Sequence, residues 1–328
     1  MEVLVTGCAG FIGSKVTESL LQEGHRVLGI DNLNDAYDVV LKHWRLSRLE
    51  GRPGFTFRRC DITDGEALRG LFSDLGPATV DLGAVIHLAA RAGVRQSVET
   101  PKMFYETNVD GTLNLLELCR ERGVGKFVLA STSSLYGSHN PRPFVEDTDT
   151  SRPLSPYAAS KKAAETLCYT YHYLHGLDVS VLRYFTVSGP AGRPDMSIFR
   201  FIRWIAEGEP LMLFGDGSQE RDFTYVDDIA VGTVRALKST AFEVINLGSD
   251  RPVAMNQIIG MLEGLIGKKA NTQQHPVQVA DVPGTWADIS KASRILSWKP
   301  QTTLEDGLQE AVQWYQENRD WACKVLLS

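Results

Sequence analysis

The sequence predicts an α/β fold, in which a doubly wound parallel sheet is followed by a smaller, mostly helical C-terminal lobe. Through the first half of the chain, short apolar runs rich in Val, Ile, Leu and Phe alternate with stretches of helical periodicity. Such runs, separated by helices, are typical of parallel strands covered on both faces. After about residue 185 the alternation stops, the apolar runs become isolated, and Gly and Pro cluster at 188–194, 208–210 and 215–217.

The individual elements are predicted in chain order from these patterns. Strands are expected at residues 2–6, 26–30, 55–59, 84–88, 126–130, 178–184 and 242–247. Helices are expected at 11–22, 65–75, 105–122 and 155–174, followed by a mostly helical tail from residue 254. This order is that of a Rossmann-type fold. We therefore predict a Rossmann domain at residues 1–184 with a return near 225–249, and a second lobe at 185–224 and 250–328.

Composition and charge exclude several classes of protein. The 328 residues are 43% hydrophobic and 23% charged, which excludes wholesale disorder, collagen and coiled coil. The net charge of −6 argues against nucleic acid or an anionic membrane as the main partner. No run approaches the roughly 18 apolar residues of a membrane span, and no secretory signal is expected at the start. Five cysteines without a CxxC pair argue against disulfides and favour the cytoplasm.

A glycine-rich turn predicts a dinucleotide site. Gly7, Gly10 and Gly13 lie between the first strand and the first helix, where bare amides and a helix N-terminus can bind a pyrophosphate. Asp31 ends the second predicted strand and can accept hydrogen bonds from ribose hydroxyls, while repelling a 2′-phosphate. NAD is therefore favoured over NADP. Asp61 is a candidate for the adenine amino group, with a helix N-cap as its alternative.

A tyrosine and a lysine predict the chemistry. Tyr157 and Lys161 are four residues apart, so they share one face of a helix. The lysine ammonium and a nicotinamide ring would lower the pKa of the phenol and make it a general base. The run Ser-Thr-Ser-Ser at 131–134 places hydroxyls at the end of a strand beside it. No metal is expected, because Cys168, His172 and His175 share a helix face without a fourth ligand.

These motifs resemble the extended short-chain dehydrogenase/reductase superfamily, whose members act on nucleotide sugars. Within it, the UDP-glucuronate 4-epimerases are similar in four stretches: 31–35 (DNLND), 87–95 (HLAARAGVR), 183–187 (RYFTV) and 192–196 (GRPDM). Two more widely shared stretches are 215–217 (GDG) and 221–228 (RDFTYVDD). The resemblance covers residues 1–318. It implies NAD-dependent epimerisation of UDP-glucuronate to UDP-galacturonate through a 4-keto intermediate, by a homodimer formed through the helices near 105–122 and 155–174.

The resemblance also implies roles for individual residues. Thr132 would act beside Tyr157 and Lys161 in catalysis. The cofactor would contact Gly7, Gly10, Phe11, Ile12, Gly13, Asp31, Asn32, Asp61, Ile62, Leu88, Ala89, Ala90, Asn108, Tyr157, Lys161 and Tyr184. The substrate would contact Arg91, Thr132, Ser133, Ser134, Thr186, Arg193, Arg221, Arg251 and Asp281. Of these, Thr186 and Arg193 would hold the sugar carboxylate, Arg193 with a forked pair of hydrogen bonds, and Arg221 would contact the uridine diphosphate.

Departures from related enzymes narrow the reaction. Dehydrating relatives carry an Asp-Glu pair at the positions of Ser133 and Ser134, and decarboxylating relatives keep a Glu at the second, so elimination is not expected here. Ser188 and Ala191 stand where the family usually has an aromatic residue and commonly a Trp, which loosens the loop before Arg193. Three alternatives remain: a UDP-glucuronate decarboxylase, another UDP-sugar 4-epimerase, and a catalytically silent NAD-sensing protein.

Overall fold

The computed structural model describes residues 1–74, 82–277 and 282–327. Within these residues the strands are β1 (Glu2–Thr6), β2 (Arg26–Asp31), β3 (Phe55–Arg59), β4 (Leu82–His87), β5 (Lys126–Thr132), β6 (Asp178–Tyr184), β7 (Thr186–Ser188), β8 (Pro210–Phe214), β9 (Glu220–Tyr225), β10 (Phe242–Leu247), β11 (Pro252–Ala254) and β12 (Asn271–His275). The α-helices are α1 (Phe11–Gln22), α2 (Val40–Ser47), α3 (Gly65–Asp74), α4 (Val94–Glu99), α5 (Pro101–Tyr105), α6 (Gly111–Arg122), α7 (Pro156–His175), α8 (Ser197–Glu207), α9 (Val226–Arg235), α10 (Met255–Ile266), α11 (Ser290–Leu296), α12 (Leu304–Glu317) and α13 (Arg319–Ala322).

Seven strands form one parallel sheet in the order β10-β6-β5-β4-β1-β2-β3. The sheet confirms all seven predicted strands, with ends that differ by two residues or fewer. Strand β10 pairs with β6 from Phe242 opposite Val179 to Leu247 opposite Tyr184, so the chain returns to this sheet as expected. The predicted fold class, a doubly wound α/β sheet followed by a largely helical region, is therefore confirmed.

Both faces of the sheet are covered, which explains the continuous apolar strands. One face packs on α3, α6 and α7, and the opposite face packs on α1, α9 and α11. Successive residues of β1 show the alternation, since Leu4 belongs to the first layer whereas Val3 and Val5 belong to the second.

The helix predicted at 105–122 is interrupted. Helix α5 ends at Tyr105, a π-turn spans Glu106–Asp110, and α6 continues from Gly111. Close packing accounts for the small residue at this point, because a Cβ on Gly111 would lie 2.6 Å from Cδ1 of Ile62. A single π-turn inside a helix is frequent at functional sites, and this one contains the buried Asn108.

A second apolar core lies among α8, α10 and α12. The isolated strands expected after residue 185 pair into two small sheets, β11-β9-β7 and β12-β8. Their short, partly polar sequences hide this pairing, because few of their residues are fully buried. Within the described residues, no helix combines the length and apolar character needed to cross a bilayer.

Candidate active site

The glycine-rich turn joins β1 to α1 at the carboxyl edge of the sheet. Gly7 has a φ of +72°, and a Cβ there would lie 2.7 Å from the backbone nitrogen of Ala89. A Cβ on Gly13 would lie 2.0 Å from the carbonyl oxygen of Gly7. Helix α1 begins directly after Gly10, with Phe11 and Ile12 in its first turn. Only glycine permits this close turn, which aligns the first amides of α1 for an anion.

Asp31 ends β2 beside this turn and is buried. Its Oδ2 accepts a hydrogen bond from the backbone nitrogen of Ala9 at 3.2 Å, and its Oδ1 accepts one from that of Leu33 at 2.8 Å. The sequence interpretation missed Lys42, whose Nζ lies 3.7 Å from Oδ1 of Asp31. Burial lowers the pKa of Lys42, while the carboxylate of Asp31 opposes that shift.

A cleft of about 360 Å³ lies beyond Asp31. It contains Asn32, Asp61 and Arg91, and Nδ2 of Asn32 donates to Oδ2 of Asp61 at 2.6 Å. Burial alone would raise the pKa of Asp61, but hydrogen bonds from Asn32 and Thr63 hold it below its usual value. Ile62, next to Asp61 in the chain, is buried in the apolar layer on one face of the sheet. Arg91 therefore lies with the predicted cofactor residues and outside the predicted sugar cleft.

The segment after β4 is held by one side chain of β1 and one of the π-turn. Oγ1 of Thr6 accepts hydrogen bonds from the backbone nitrogens of Leu88 and Ala89, at 3.2 and 3.1 Å. Asn108 exchanges two hydrogen bonds with the backbone of Arg91, at 2.8 and 2.9 Å. Its Nδ2 also donates to Oγ of Ser160 on α7. Ala90 lies between these anchors, so the π-turn fixes the strand-end segment next to α7.

His87 is a buried residue of the site that the sequence interpretation missed. Its ring nitrogens lie 2.8 Å from Oγ1 of Thr6 and 3.0 Å from Oγ1 of Thr112. Burial and the charge of Lys161 hold the pKa of His87 well below its ordinary value, so the ring is neutral at pH 7. Two sequence signals mark His87: it ends an apolar strand, and it begins the stretch 87–95.

Tyr157 and Lys161 lie in the first turns of α7, which Ser155 caps by accepting a hydrogen bond from Ala158. Burial raises the pKa of Tyr157, while a hydrogen bond with Thr132 and the charge of Arg193 act to lower it. Burial also lowers the pKa of Lys161 to about 8. In the free chain the phenol is therefore protonated at pH 7, in contrast to the lowered pKa expected with a cofactor in place.

The end of β5 brings the predicted hydroxyls together. Oγ1 of Thr132 lies 3.2 Å from Oγ of Ser134 and accepts a hydrogen bond from the Ser134 nitrogen at 3.1 Å. Ser133 and Ser134 line a cleft of about 710 Å³ together with Thr186 of β7 and Arg221 of β9. Four of the predicted substrate residues thus share one cleft, next to Tyr157.

Two further arginines line the same cleft and were not predicted. Arg95 stacks over the ring of Phe214 at 4.2 Å from its centroid, and Arg200 projects from α8. With Arg221 they give this cleft three guanidinium groups, which suits a diphosphate. Arg95 ends the stretch 87–95, so its position was visible in the sequence although its role was not.

Arg193 is already engaged in the free chain. Its Nε and Nη2 donate to the carboxylate of Asp195 at 3.0 and 2.6 Å, and Nη2 also donates to the carbonyl of Ala92 at 2.9 Å. The guanidinium carbon lies 5.8 Å from the centroid of the Tyr37 ring. The fork expected to receive the sugar carboxylate is thus bound by a carboxylate of the protein.

The described side-chain contacts of two predicted residues lie elsewhere, although the backbone of Tyr184 pairs with that of Thr132 in the sheet. Arg251 lines a separate cleft next to Ser249 and Asp250. The hydroxyl of Tyr184 lies 2.8 Å from Oγ1 of Thr233 on α9, and burial raises its pKa. Asp281 lies outside the described residues.

The chain is similar to proteins of one known family. Residues 3–248 match the model of the NAD-dependent epimerase/dehydratase family. The chain belongs to this family. A UDP-glucuronate 4-epimerase of Thermodesulfobacterium geofontis is 58% identical over 316 residues, which cover 96% of each chain. UDP-glucuronate 4-epimerase 2 of Arabidopsis thaliana is 42% identical over 96% of this chain and 76% of the relative.

A solved structure of the NAD-dependent epimerase/dehydratase type has the same fold. The UDP-glucuronic acid 4-epimerase of Bacillus cereus, in complex with UDP-glucuronic acid and NAD, superimposes with a TM-score of 0.90 at 39% identity. The match covers 97% of this chain and all of the other. The resemblance drawn from the sequence motifs is therefore confirmed. The family match ends at residue 248, directly after β10 completes the large sheet.

Proposed function

We propose that the protein is a UDP-glucuronate 4-epimerase that uses NAD. The observation that carries this proposal is the grouping of Thr132, Tyr157 and Lys161 beside a cleft in which Ser133 and Ser134 supply hydroxyls instead of acids. The identity of 58% to a UDP-glucuronate 4-epimerase over nearly the whole chain supports it.

The residues at the sheet edge fit NAD. We assign the pyrophosphate to the turn of Gly7, Gly10 and Gly13, where side chains would collide with backbone. Asp31 would bind the adenosine ribose, and Asn32, Asp61 and Ile62 would surround the adenine. Phe11, Ile12, Leu88, Ala89, Ala90, Asn108, Tyr157, Lys161 and Tyr184 complete the proposed set. NAD supplies a hydride acceptor that is regenerated within the cycle, so the net reaction is redox-neutral.

Proton transfer falls to Tyr157. As a phenolate it would remove the proton of the sugar 4-hydroxyl, assisted by Thr132. After the 4-keto sugar has turned and carbon 4 is reduced on its other face, Tyr157 would return the proton to the oxygen. The charge of Arg193 acts to lower the pKa of the phenol. Burial raises the pKa of Tyr157. The phenolate therefore depends on nearby positive charges, those of Lys161, Arg193 and the nicotinamide ring of bound NAD.

The sugar must turn over while its diphosphate stays bound. We propose that Arg221, with Arg95 and Arg200, holds the uridine diphosphate in the cleft of about 710 Å³. Arg251 and Asp281 are further candidates for the nucleotide end. Firm binding of the diphosphate and few contacts to the ring would let the 4-keto sugar rotate and present its other face.

The carboxylate needs its own restraint. A 4-keto uronic acid is a β-keto acid, which loses carbon dioxide when the bond to the carboxyl carbon aligns with the ketone. Arg193 and Thr186 would hold the carboxylate away from this alignment, with Ser133 and Ser134 beside it. Since Asp195 binds the Nε–Nη2 edge of Arg193, the substrate carboxylate would meet the Nη1 side or displace Asp195.

A product assay tests the function. Purified protein is incubated with UDP-glucuronate, without added NAD, and the product is identified by NMR. UDP-galacturonate is expected. A UDP-pentose with release of carbon dioxide would assign a decarboxylase. An unchanged substrate, even with NAD added, would contradict the proposal and favour another UDP-sugar 4-epimerase or an NAD-sensing protein, which the same assay with UDP-glucose and UDP-galactose distinguishes.

A pair of tyrosine variants tests the general base. Tyr157→Phe is expected to lose about 10²–10⁴-fold in rate, because it removes the group that takes the 4-hydroxyl proton. Tyr173→Phe, more than four turns away on the same helix, is the matched control, because it removes only a hydroxyl and keeps the aromatic ring that the proposed dimer interface would cover. Activity of Tyr157→Phe within about threefold of the parent would contradict the assignment.

A homodimer is proposed through α6 and α7. Leu113 on α6 and Tyr169, Tyr173 and Leu174 on α7 are large apolar side chains left exposed in the single chain, by 36%, 53%, 76% and 62%. Large apolar side chains left exposed on packed helices are typical of a surface that a partner covers.

We also propose a division of labour within the chain. Residues 1–184, with the return near 225–249, would form the NAD-binding domain, and residues 185–224 and 250–328 the nucleotide-sugar lobe. The separate apolar cores support this division, although Tyr37 and Leu41 join the core of the second lobe.

Five free cysteines support a cytoplasmic location.

A further inference from the structure

Arg45 of α2 is a buried cation outside the residues assigned to the reaction. Its Nε and Nη2 donate to the carbonyl of Ala191 at 3.1 and 2.7 Å. Its Nη1 donates to the Tyr37 hydroxyl at 2.7 Å and to the carbonyl of Ala9 at 3.3 Å. Ala9 belongs to the glycine-rich turn, and Ala191 precedes Arg193 by two residues. One side chain, 2% exposed, therefore joins the cofactor turn to the loop that carries Arg193.

The backbone at Ala191 needs this support. Ala191 is buried and has a φ of +52°, a left-handed conformation that is unfavourable for a residue with a Cβ. Two nitrogens of one guanidinium bind its carbonyl oxygen. A lysine could not reproduce this fork, since it carries a single nitrogen.

A second route leads from Arg45 to Arg193. The guanidinium carbons of the two arginines lie 5.5 and 5.8 Å from the centroid of the same Tyr37 ring. Because the Tyr37 hydroxyl accepts a hydrogen bond from Arg45, this contact also fixes the surface on which Arg193 packs.

We propose that Arg45 is a positioning residue for recognition of the substrate carboxylate. By holding Ala191 in its left-handed conformation and by fixing the Tyr37 ring, it sets the location of the Arg193 guanidinium. The proposal rests on the proposed function, since it takes Arg193 as the partner of the sugar carboxylate.

Binding measurements in a Tyr157→Phe background, where the sugar is not turned over, test this role. Dissociation constants for UDP-glucuronate and UDP-glucose are measured by calorimetry with NAD present. Arg45→Lys is expected to raise the dissociation constant for UDP-glucuronate by about tenfold or more, because the charged hydrogen bond from Arg193 to the carboxylate is misplaced. UDP-glucose, which has no carboxylate, is expected to change by less than about twofold. Arg48→Lys, at an exposed position directly after the same helix, is the control and leaves both dissociation constants unchanged.

A rescue variant separates positioning from a general loss of structure. Ala191→Gly adopts a positive φ without cost from a Cβ, so adding it to Arg45→Lys is expected to recover at least about threefold of the lost affinity. If Arg45→Lys does not fold, Tyr37→Phe replaces it, because it removes one Arg45 contact and keeps the ring. Tyr37→Phe is expected to raise the dissociation constant for UDP-glucuronate by at least about twofold and to leave that for UDP-glucose unchanged.

Three results would overturn the proposal. The first is an equal loss of affinity for both sugars in Arg45→Lys. The second is unchanged affinity for both sugars in Arg45→Lys and in Tyr37→Phe. The third is a double variant that binds UDP-glucuronate no more tightly than Arg45→Lys alone. Failure of the proposed function is seen elsewhere, in the reference protein itself. If the Tyr157→Phe protein binds both sugars equally before any change at Arg45, carboxylate recognition by Arg193 is contradicted, and the role of Arg45 falls with it.

Discussion

At the scale of single residues, the fold controls the charge of Lys161. The side chain is 2% exposed, and burial lowers its pKa from 10.5 to about 8. Between these two values the unfolded chain binds more protons than the native protein, so the free energy of unfolding rises with pH across this window. Below pH 8 the native protein must hold a buried ammonium, which costs stability.

Lys161→Met is expected to remove this pH dependence. The free energy of unfolding of the parent, relative to the variant, should increase by roughly 2–3 kcal/mol from pH 7 to pH 10. Urea unfolding of NAD-free protein at both pH values measures it, with Lys162→Met, a side chain 38% exposed, as the control. A difference that stays flat with pH would show that Lys161 keeps its ordinary pKa.

Asp31 and Lys42 act in opposite directions on the choice of cofactor. The carboxylate repels a 2′-phosphate, whereas the ammonium 3.7 Å away would attract one. The parent is expected to bind NAD much more tightly than NADP, and Asp31→Asn to narrow the ratio of the two dissociation constants by about tenfold or more. Lys42→Met should widen the same ratio. Calorimetric titration of the apo-protein checks both, and equal affinity of the parent for NAD and NADP would contradict the role of Asp31.

At the scale of elements, a buried ion pair joins α7 to the sheet. Arg183 of β6 donates to both carboxylate oxygens of Glu165 on α7, at 3.0 and 2.8 Å. Ser131, next to Thr132 on β5, donates to the same carboxylate at 2.6 Å. The helix that carries Tyr157 and the strand that carries Thr132 are thereby held in one relative position.

Glu165→Gln is expected to lower the free energy of unfolding by about 3–5 kcal/mol, because it leaves the Arg183 charge buried without its counter-ion. Lys269→Gln breaks the pair of Lys269 with Glu263, in which the lysine side chain is 88% exposed. This control should change stability little, because solvent screens the exposed pair. Urea unfolding measures both variants, and similar small losses would mean that the Glu165 pair is solvated.

The sequence predicted elements where one physical signal dominates. The strands of the large sheet were predicted because burial on both faces makes them apolar throughout, as in Leu4 and Val5. The π-turn around Asn108 was not predicted, because the sequences of α5 and α6 on either side of it keep the periodicity of a helix. Motif spacing likewise located Tyr157, but the contacts of Arg45 with Ala191, 146 residues apart, depend on packing that no local pattern encodes.

At the scale of the whole molecule, the exposed face of α6 and α7 predicts the assembly. The chain has a mass of 36.3 kDa. Size-exclusion chromatography with light scattering is expected to give the parent twice this mass. A Tyr169→Asp, Tyr173→Asp double variant should have the mass of one chain, because two charges would be buried unpaired in the interface. Val231→Asp on α9, at a position 37% exposed, is the control and should leave the mass unchanged. A parent of single mass would contradict the dimer.

The late position of β10 along the chain has a consequence for biosynthesis. Strand β10 completes the large sheet, and α9 covers α1 through Ile229 and Ala230, yet both elements follow residue 225. A nascent chain that has emerged only to residue 184 therefore exposes the apolar side of α1 and the open edge of β6. The seventh strand of the sheet can be added only after about sixty further residues have emerged, because β6 pairs in parallel with β10. The chain can thus complete the sheet of its first lobe only after the first segment of its second lobe, residues 185–224, has been translated.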